Sequence, residues 1–189
     1  MSAPKPKLFM AILGCKPEGR RTEQHDIFFG IAASLKELVP QMKTFWPEAK
    51  GRLHIDAWRE VTAVGRYQIE VVPKTEIQAS DLKLFFLNLG GYKPGEFEEY
   101  HYKVLTVSTK LSEAVKTAKA TSFYKHFGFS GAVSHIDDKY GIDVDDAYNV
   151  EDLLPESTKS AFALTFSESV QDLPEDVLHI GYLKIDAIK

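Results

Sequence analysis

The two halves of this chain show the same succession of hydrophobic and polar segments. In the first half, a continuous apolar run from Leu8 to Leu13, ended by Gly14, predicts a strand buried on both faces. Apolar residues then recur at helical spacing and predict a helix that begins at Thr22, is ended or kinked at Pro40, and in its continuation stops at Pro47. Strands are predicted at Arg52–Trp58 and Tyr67–Val72. The first unit therefore has the predicted order strand, helix, strand, strand.

The second half repeats this order and is followed by a β-rich tail. It predicts a strand at Leu84–Leu89, a helix from about Glu98 to Ala120, and strands near Ala132–Asp137 and Ala147–Val150. In the tail, residues 161–166 and Val177–Ile185 predict two more strands, which could complete a sheet edge or pair with another subunit. We expect an α+β fold with two tandem strand-helix-strand-strand repeats, pseudo-twofold symmetry and a C-terminal β extension.

The predicted boundaries follow the same division. Residues 1–73 form the first repeat unit, residues 74–83 a polar linker, residues 84–154 the second unit and residues 155–189 the C-terminal strands. Together they are expected to form one compact domain.

Polar residues recur within the two halves at matched positions. An offset of 76 residues carries Gly14 onto Gly90 and His25 onto His101. The tripeptide His-Ile-Asp occurs at residues 54–56 and 135–137, at an offset of 81. One insertion of five residues near residues 123–131 reconciles the two offsets, which predicts an ancient doubling and not a short-period repeat protein.

The repeated His-Ile-Asp contains the candidate catalytic residues, which are His54, Asp56, His135 and Asp137. Because side chains alternate along a strand, His54 and Asp56 are expected to project to one face while the isoleucine between them enters the core. A carboxylate beside an imidazole suits general-base catalysis or metal ligation. The alternative is an ordinary His–Asp hydrogen bond on a half-solvated sheet face.

Glu23, His25, Glu99 and His101 are candidate metal ligands at the start of the two predicted helices. A glutamate there is also favoured by the helix dipole alone, and residues two apart on a helix do not face each other. With the His-Ile-Asp residues they could form two equivalent sites, or one at the pseudo-axis, for zinc or another transition metal. Their spacing matches no established motif, so the sequence leaves open whether a metal binds and which cofactor, if any, the protein uses.

The loop after the first strand is a candidate anion site. Lys16, Arg20 and Arg21 precede the predicted helix N-terminus, an arrangement that suits a phosphate or carboxylate, although an exposed turn is the alternative. Acidic residues replace the arginines in the second half, so this site is expected only in the first. Cys15 stands beside these basic residues and could have a lowered pKa, but catalysis by it is not expected, because the second half has no matching cysteine.

Composition narrows the class of protein. The 189 residues are 44% hydrophobic, enough for a substantial core, and carry a formal net charge of only −4 with both signs interspersed. Nucleic-acid binding and membrane association are therefore not expected. A lone cysteine indicates a reducing compartment, so a cytoplasmic location is predicted.

Three motifs carry a family resemblance: the segment of residues 13–30 that begins Leu-Gly-Cys-Lys-Pro, the tripeptide Phe-Trp-Pro at 45–47, and His-Ile-Asp-Ala-Trp-Arg-Glu at 54–60. They resemble the bacterial family known as domain of unknown function 1543. The resemblance covers residues 8–72, and residues 84–154 resemble a second, more diverged copy. It implies a cytoplasmic bacterial protein of no assigned activity, and it supplies no catalytic residues.

Two functions are consistent with the sequence. The first is a small-ligand-binding or regulatory module, expected to be a homodimer through aromatic-rich surfaces or the C-terminal strands. The alternative is a small-molecule enzyme, such as a metal-assisted hydrolase, which uses the His/Asp pairs while Arg20 and Arg21 hold a small anionic ligand. Convergence of the repeated histidines to within about 5 Å of one another would favour the enzyme.

Overall fold

The computed structural model describes residues 4–77, 79–92, 95–126 and 143–188. The chain divides into two compact units. The first contains Met1–Gln78 and Leu154–Lys189, and the second contains Ala79–Leu153. In sequence, the second unit is therefore an insertion within the first.

The described residues form strands and α-helices in this order: β1 Lys7–Cys15, β2 Gln24–Ala32, α1 Val39–Phe45, β3 His54–Glu60, β4 Ala63–Val64, β5 Tyr67–Pro73, β6 Lys83–Tyr92, β7 Glu99–Ser108, α2 Leu111–His126, β8 Asp143–Asn149, α3 Val150–Leu153, α4 Glu156–Ala161, β9 Phe162–Glu168 and β10 His179–Lys184. The strands pair antiparallel. The predicted α+β class is confirmed.

The first two strands form a hairpin, so the helix predicted from Thr22 is wrong. β2 pairs with β1 in register from Lys7 opposite Ala32 to Cys15 opposite Gln24. Phe28 and Phe29 are both buried although they point to opposite faces of the sheet. A strand buried on both faces shows a nearly continuous apolar run, and such a run also contains residues at helical spacing.

The helix that does form is shorter and begins later. α1 runs from Val39 to Phe45, with Pro40 in its first turn, where a proline costs no hydrogen bond. Pro40 was expected to end or kink a helix, but it lies near the start of one. Met42 and the adjacent Leu38 are fully buried in the core that also contains Leu13 from β1.

The C-terminal strands complete two sheets of the first unit, which is one of the two predicted outcomes. β10 pairs with β3 and forms an edge of a four-stranded sheet of order β10-β3-β1-β2. β9 pairs with β5 in a three-stranded sheet of order β4-β5-β9.

The second unit is a three-stranded sheet of order β7-β6-β8 with α2 packed on it. The helix predicted from Glu98 is wrong in its first half, because Glu99–Ser108 is β7 and the helix begins at Leu111. In both units the first four described strands and α-helices follow the order strand, strand, helix, strand, whereas the predicted order was strand, helix, strand, strand. The strand predicted at Ala132–Asp137 lies outside the described residues. Pseudo-twofold symmetry and the duplication remain predictions.

Among the residues that the structure describes, no helix has both the length and the apolar composition needed to cross a membrane.

Candidate metal centre

A row of three residues across the first sheet forms the floor of the site. Gly14 on β1 lies directly opposite His25 on β2 and directly opposite His54 on β3. Cross-strand neighbours project to the same face, so both imidazoles stand on the face on which Gly14 has only hydrogen. A Cβ at Gly14 would collide with His54 Nε2 and would lie 2.7 Å from Asp56 Oδ2. The glycine therefore leaves the space that the ligand atoms fill.

A β-bulge places Asp56 beside the two histidines. Ile12 pairs with Ala57 and Leu13 pairs with Ile55, so Asp56 is an extra residue in β3. Its Oδ2 lies 3.2 Å from His25 Nε2 and 3.3 Å from His54 Nε2. Asp56 and His54 converge on one face while Ile55 is fully buried in the core. This is the geometry predicted from strand alternation.

The pairing of the edge strand β10 with β3 is also irregular, at the level of the β-bulge in β3. Its register against β3 shifts between Ile180 and Leu183, and Gly181 there has a φ of 136°. The Tyr182 ring stacks on the His54 imidazole with a centroid distance of 4.4 Å and an interplanar angle of 30°. Tyr182 therefore contacts the ring of a candidate ligand, a contact that the sequence did not indicate.

Glu23 approaches the histidines from the residue just before β2. Its Oε1 lies 3.2 Å from His54 Nε2, and its Oε2 lies 3.9 Å from His25 Nε2. The helical geometry expected here would have separated Glu23 from His25. Because β2 begins at Gln24, no helical turn separates Glu23 from His25, and both side chains approach His54 on one face of the sheet.

The polar atoms at the centre of this cluster are buried without hydrogen-bond partners. His54 is 5% exposed, and both His54 Nε2 and Asp56 Oδ2 lack a partner of proper geometry. Their separation of 3.3 Å is a contact distance, but the two atoms are not aligned for a hydrogen bond. An unsatisfied buried polar atom costs about 1–3 kcal/mol. The cluster is therefore incompletely stabilised by its own atoms.

The spacing of these atoms matches a metal coordination sphere. With zinc–ligand bonds of about 2.0–2.1 Å, tetrahedral ligands lie roughly 3.3 Å apart. One ligand atom from each of Glu23, His25 and His54 lies within 4.8 Å of the others. The side chains of Glu23, His25 and Asp56 are 48%, 45% and 33% exposed, so the cluster is open to solvent on one side.

Cys15 follows Gly14 but belongs to the other face of the strand. It is 2% exposed and packs in the apolar core. Burial raises the pKa of its thiol, and the negative charge of Glu23 raises it further, while Arg52 opposes the shift. The basic residues of the following loop, which could have lowered this pKa, therefore do not do so, because burial and Glu23 outweigh Arg52.

The basic residues lie in the loop that joins β1 to β2. Lys16, Arg20 and Arg21 are exposed, and the Arg20 amide donates to Pro17 O at 3.2 Å in a turn. No helix begins in this loop, so the helix dipole contributes nothing to an anion site here. Only the side-chain charges remain as an argument for that prediction.

The remaining candidate residues lie in the second unit or outside the described residues. Glu99 and His101 are exposed on β7, with His101 directly opposite Gly90. His135 and Asp137 lie outside the described residues. The sequence named the four residues of the first cluster but not the role of Gly14. Gly14 could have been singled out from the sequence, because the dipeptide Leu13-Gly14 recurs as Leu89-Gly90 in the second half.

Comparisons with known proteins bear on the fold and the family. No curated protein matches the chain. The solved structure of a protein Il1583 from Idiomarina loihiensis is similar, with a TM-score of 0.63 and 20% sequence identity over 95% of this chain and 97% of that chain. At this identity the likeness shows the fold alone. Residues 20–71, which contain all four residues of the cluster, match the family model described as Domain of Unknown Function (DUF1543), so the predicted resemblance to that family is confirmed over this segment.

Proposed function

We propose that this protein binds a divalent transition-metal ion through Glu23, His25, His54 and Asp56. The observation that carries the proposal is that His54 Nε2 and Asp56 Oδ2 are buried 3.3 Å apart, within ion-pair distance, yet neither atom makes a hydrogen bond. A cation between the ligands would satisfy both atoms and would neutralise the two carboxylates. Two imidazoles with two carboxylates suit zinc, and also cobalt or nickel.

Metal binding of this kind agrees with a small-ligand-binding or regulatory module. The ligands come from β2, from β3 and from the residue before β2, all in the first unit. Most of the ligand positions are therefore fixed by one paired sheet. Preorganisation of this kind favours affinity, because little chain entropy is lost when the ion binds.

Zinc titration of the chelator-stripped protein by calorimetry tests the proposal. Wild type is expected to bind zinc with at least tenfold higher affinity than His25→Gln, a variant that folds readily because His25 is about half exposed. His179→Gln is the matched control, because His179 stacks on Trp58 and not on the cluster. Equal affinities for wild type and His25→Gln would overturn the proposal.

A metal-assisted hydrolase is the second candidate, and solvent exposure of the cluster favours it. Glu23, His25 and Asp56 are each a third to a half exposed, which leaves room for a water or a substrate beside the ion. A bound metal supplies a more acidic water, and the chain's own part is to hold the ligands and admit substrate. The loop that ends at Glu23 carries Arg20 and Arg21, which suit a small anionic substrate.

Hydrolysis of p-nitrophenyl phosphate and p-nitrophenyl acetate by zinc-loaded protein separates these candidates. The enzyme proposal expects turnover that His25→Gln abolishes, and the doubly substituted Arg20→Gln, Arg21→Gln is expected to lower turnover of the phosphate ester selectively. Zinc binding without turnover of either ester would favour the binding module.

We also propose that the protein lies in the cytoplasm of a bacterium and that it forms a homodimer through β10. β10 is the edge of its sheet, and Ile180 and Tyr182 on it are 79% and 65% exposed. An exposed apolar edge strand is a ready surface for pairing with a second copy. The lone, buried Cys15 agrees with a reducing compartment. Light scattering after gel filtration is expected to show a dimer for wild type and a monomer for Ile180→Lys, and a monomeric wild type would contradict this.

A further inference from the structure

The edge strand β10 places two side chains beside the metal centre. Lys184 lies directly opposite His54 in the pairing of β10 with β3. Residues in this position project to the same face of the sheet, with their Cβ atoms about 4.5–5.5 Å apart. Tyr182, two residues earlier, stacks its ring on the His54 imidazole. β10 therefore adds an aromatic and a cationic side chain to the face that carries the proposed metal ligands.

The residues on either side of Lys184 fix the direction of its side chain. Leu183 pairs with Ile55. Leu183 and Ile185 pack in the apolar core that contains Ile55, on the face opposite His54. Since successive side chains of a strand point to opposite faces, Lys184 points to the face of His54.

The ammonium group of Lys184 is open to a ligand. Lys184 is exposed and forms no ion pair with any residue that the structure describes. Asp186, the nearest acid along the chain, pairs instead with Lys43 at 2.7 Å. Lysine carries its charge on a flexible four-carbon stem with three donors, so this group can follow a ligand bound beside His54.

The charge of the metal-loaded centre favours an anion as its further ligand. A divalent ion is balanced by the carboxylates of Glu23 and Asp56, because imidazoles are neutral when they ligate a metal. Lys184 on β10 is an additional positive charge, as are Arg20 and Arg21 in the loop that ends at Glu23. These cations attract a small anion to the solvent-exposed side of the centre.

A phosphate group matches this surplus of positive charge better than a carboxylate does. A phosphate group carries about 1.5–2 negative charges at pH 7 and three acceptor oxygens, whereas a carboxylate carries one charge and two oxygens. One phosphate oxygen can bind the metal ion while another accepts a hydrogen bond from Lys184. Such a charge-assisted hydrogen bond is roughly twice as strong as a neutral one.

We infer that the metal centre binds a phosphate group and that Lys184 selects this anion. The inference rests on the proposed metal binding by the four residues of the cluster. Those residues hold the ion, and β10 determines which anion the ion accepts. Free phosphate and phosphate esters share this chemistry, and the exposed ring of Tyr182 beside the site favours an ester that carries an aromatic group.

Phosphate titration of the cobalt-loaded full chain tests this inference. The visible absorption of cobalt reports ligands that bind the ion directly, and cobalt suits the same donors as zinc. Wild type is expected to give a saturable spectral change with inorganic phosphate. Lys184→Gln is expected to raise the Kd for phosphate roughly tenfold, because one charge-assisted hydrogen bond is lost. Lys184→Arg keeps the charge and is expected to stay close to wild type.

Lys36→Gln is the matched control, because Lys36 is also exposed but lies beyond the end of β2 that is far from His25. Acetate tests the choice of anion, and phenyl phosphate distinguishes an aromatic ester from free phosphate by which of the two phosphates binds more tightly. An equal Kd for phosphate in wild type and Lys184→Gln would overturn the inference. Acetate binding as tight as that of phosphate would overturn it as well.

A cobalt titration before each phosphate titration separates this inference from the metal proposal. Cobalt affinity of wild-type strength in Lys184→Gln shows that the metal centre is intact, so a weaker phosphate affinity is then due to the lost ammonium group. A chain that binds cobalt but gives no spectral response to phosphate contradicts the phosphate inference and leaves the metal proposal standing. A chain that binds neither cobalt nor zinc contradicts both.

Discussion

Gly14→Ala is the substitution that probes the metal centre most directly. The new methyl group would collide with His54 Nε2 and would lie 2.7 Å from Asp56 Oδ2. Packed carbon atoms lie about 3.5–4.0 Å apart, and contacts with oxygen are only a little shorter, so these side chains must move by roughly 0.5 Å or more. Both contacted atoms are ligand atoms of the proposed site, which tolerates displacements of only about 0.5 Å.

The size of the effect can be worked out for two separate quantities. Overpacking a well-filled site costs about 1–3 kcal/mol in the free energy of unfolding. Misplacing two of four ligands is expected to weaken zinc binding about 100-fold, which corresponds to about 2.7 kcal/mol of binding free energy. Because the stabilisation of the folded state by zinc grows with the logarithm of the zinc concentration divided by Kd, the variant also loses up to about 2.7 kcal/mol of this stabilisation, and zinc raises its Tm less than that of wild type.

Gly30→Ala is a suitable control, because Gly30 is also a strand glycine. Its Cβ would lie 2.7 Å from Leu38 Cδ2 and 2.9 Å from Phe28 Cε1, which belong to the core on the other face of the sheet from His25. It should lower the free energy of unfolding by a similar amount and leave zinc affinity unchanged. Urea unfolding and zinc calorimetry on both variants check this. Zinc affinity of wild-type strength in Gly14→Ala would refute the assignment of Gly14 as the floor of the site.

Three further outcomes are expected. Tyr182→Ala should weaken zinc binding about tenfold in calorimetry, because it removes the ring that stacks on His54. Tyr182→Phe keeps this ring and should bind zinc with nearly wild-type affinity. An equal loss of affinity in both variants would show that the hydroxyl matters and the stacking does not. In the native protein, Cys15 should react with iodoacetamide at pH 8 at least tenfold more slowly than free cysteine, because burial limits access to the thiol and raises its pKa. The reaction rate should increase only at a higher pH, where more of the thiol is ionised. Asp176→Ala should lower the free energy of unfolding by about 1 kcal/mol, measured by urea denaturation. Asp176 accepts hydrogen bonds from the Thr62 amide at 3.1 Å and from the Thr62 hydroxyl at 2.5 Å. An unchanged urea midpoint would show that these bonds add nothing to stability.

The sequence predicted the central strands well, and the helices poorly. The apolar run of β1 was predicted correctly as a strand because it is short, lacks a polar face and is ended by Gly14. β2 has the same character, but Ile27, Phe28 and Ile31 happen to fit a helical spacing as well. Only the pairing with β1, a long-range interaction, decides between strand and helix.

The candidate site was predicted in its residues but not in its geometry. His54 and Asp56 were expected on one face, and they lie there, because strand alternation is a local property. Glu23 and His25 were placed on a helix, where they could not chelate, and the strand brings them together. Tyr182 could not have been assigned, because its contact with His54 depends on which strand β10 pairs with.

The inserted position of the second unit affects the order in which the protein is made. Tyr182 follows His54 by 128 residues, and the whole second unit is synthesised between them. During translation, the second unit can fold on the ribosome while the sheet of the first unit still lacks its last strand. All four residues of the proposed metal site would then have emerged long before the strand that covers His54. A nascent chain arrested before residue 179 should therefore hold zinc more weakly than one from which β10 has emerged, so metal capture by the first unit would await the synthesis of β10.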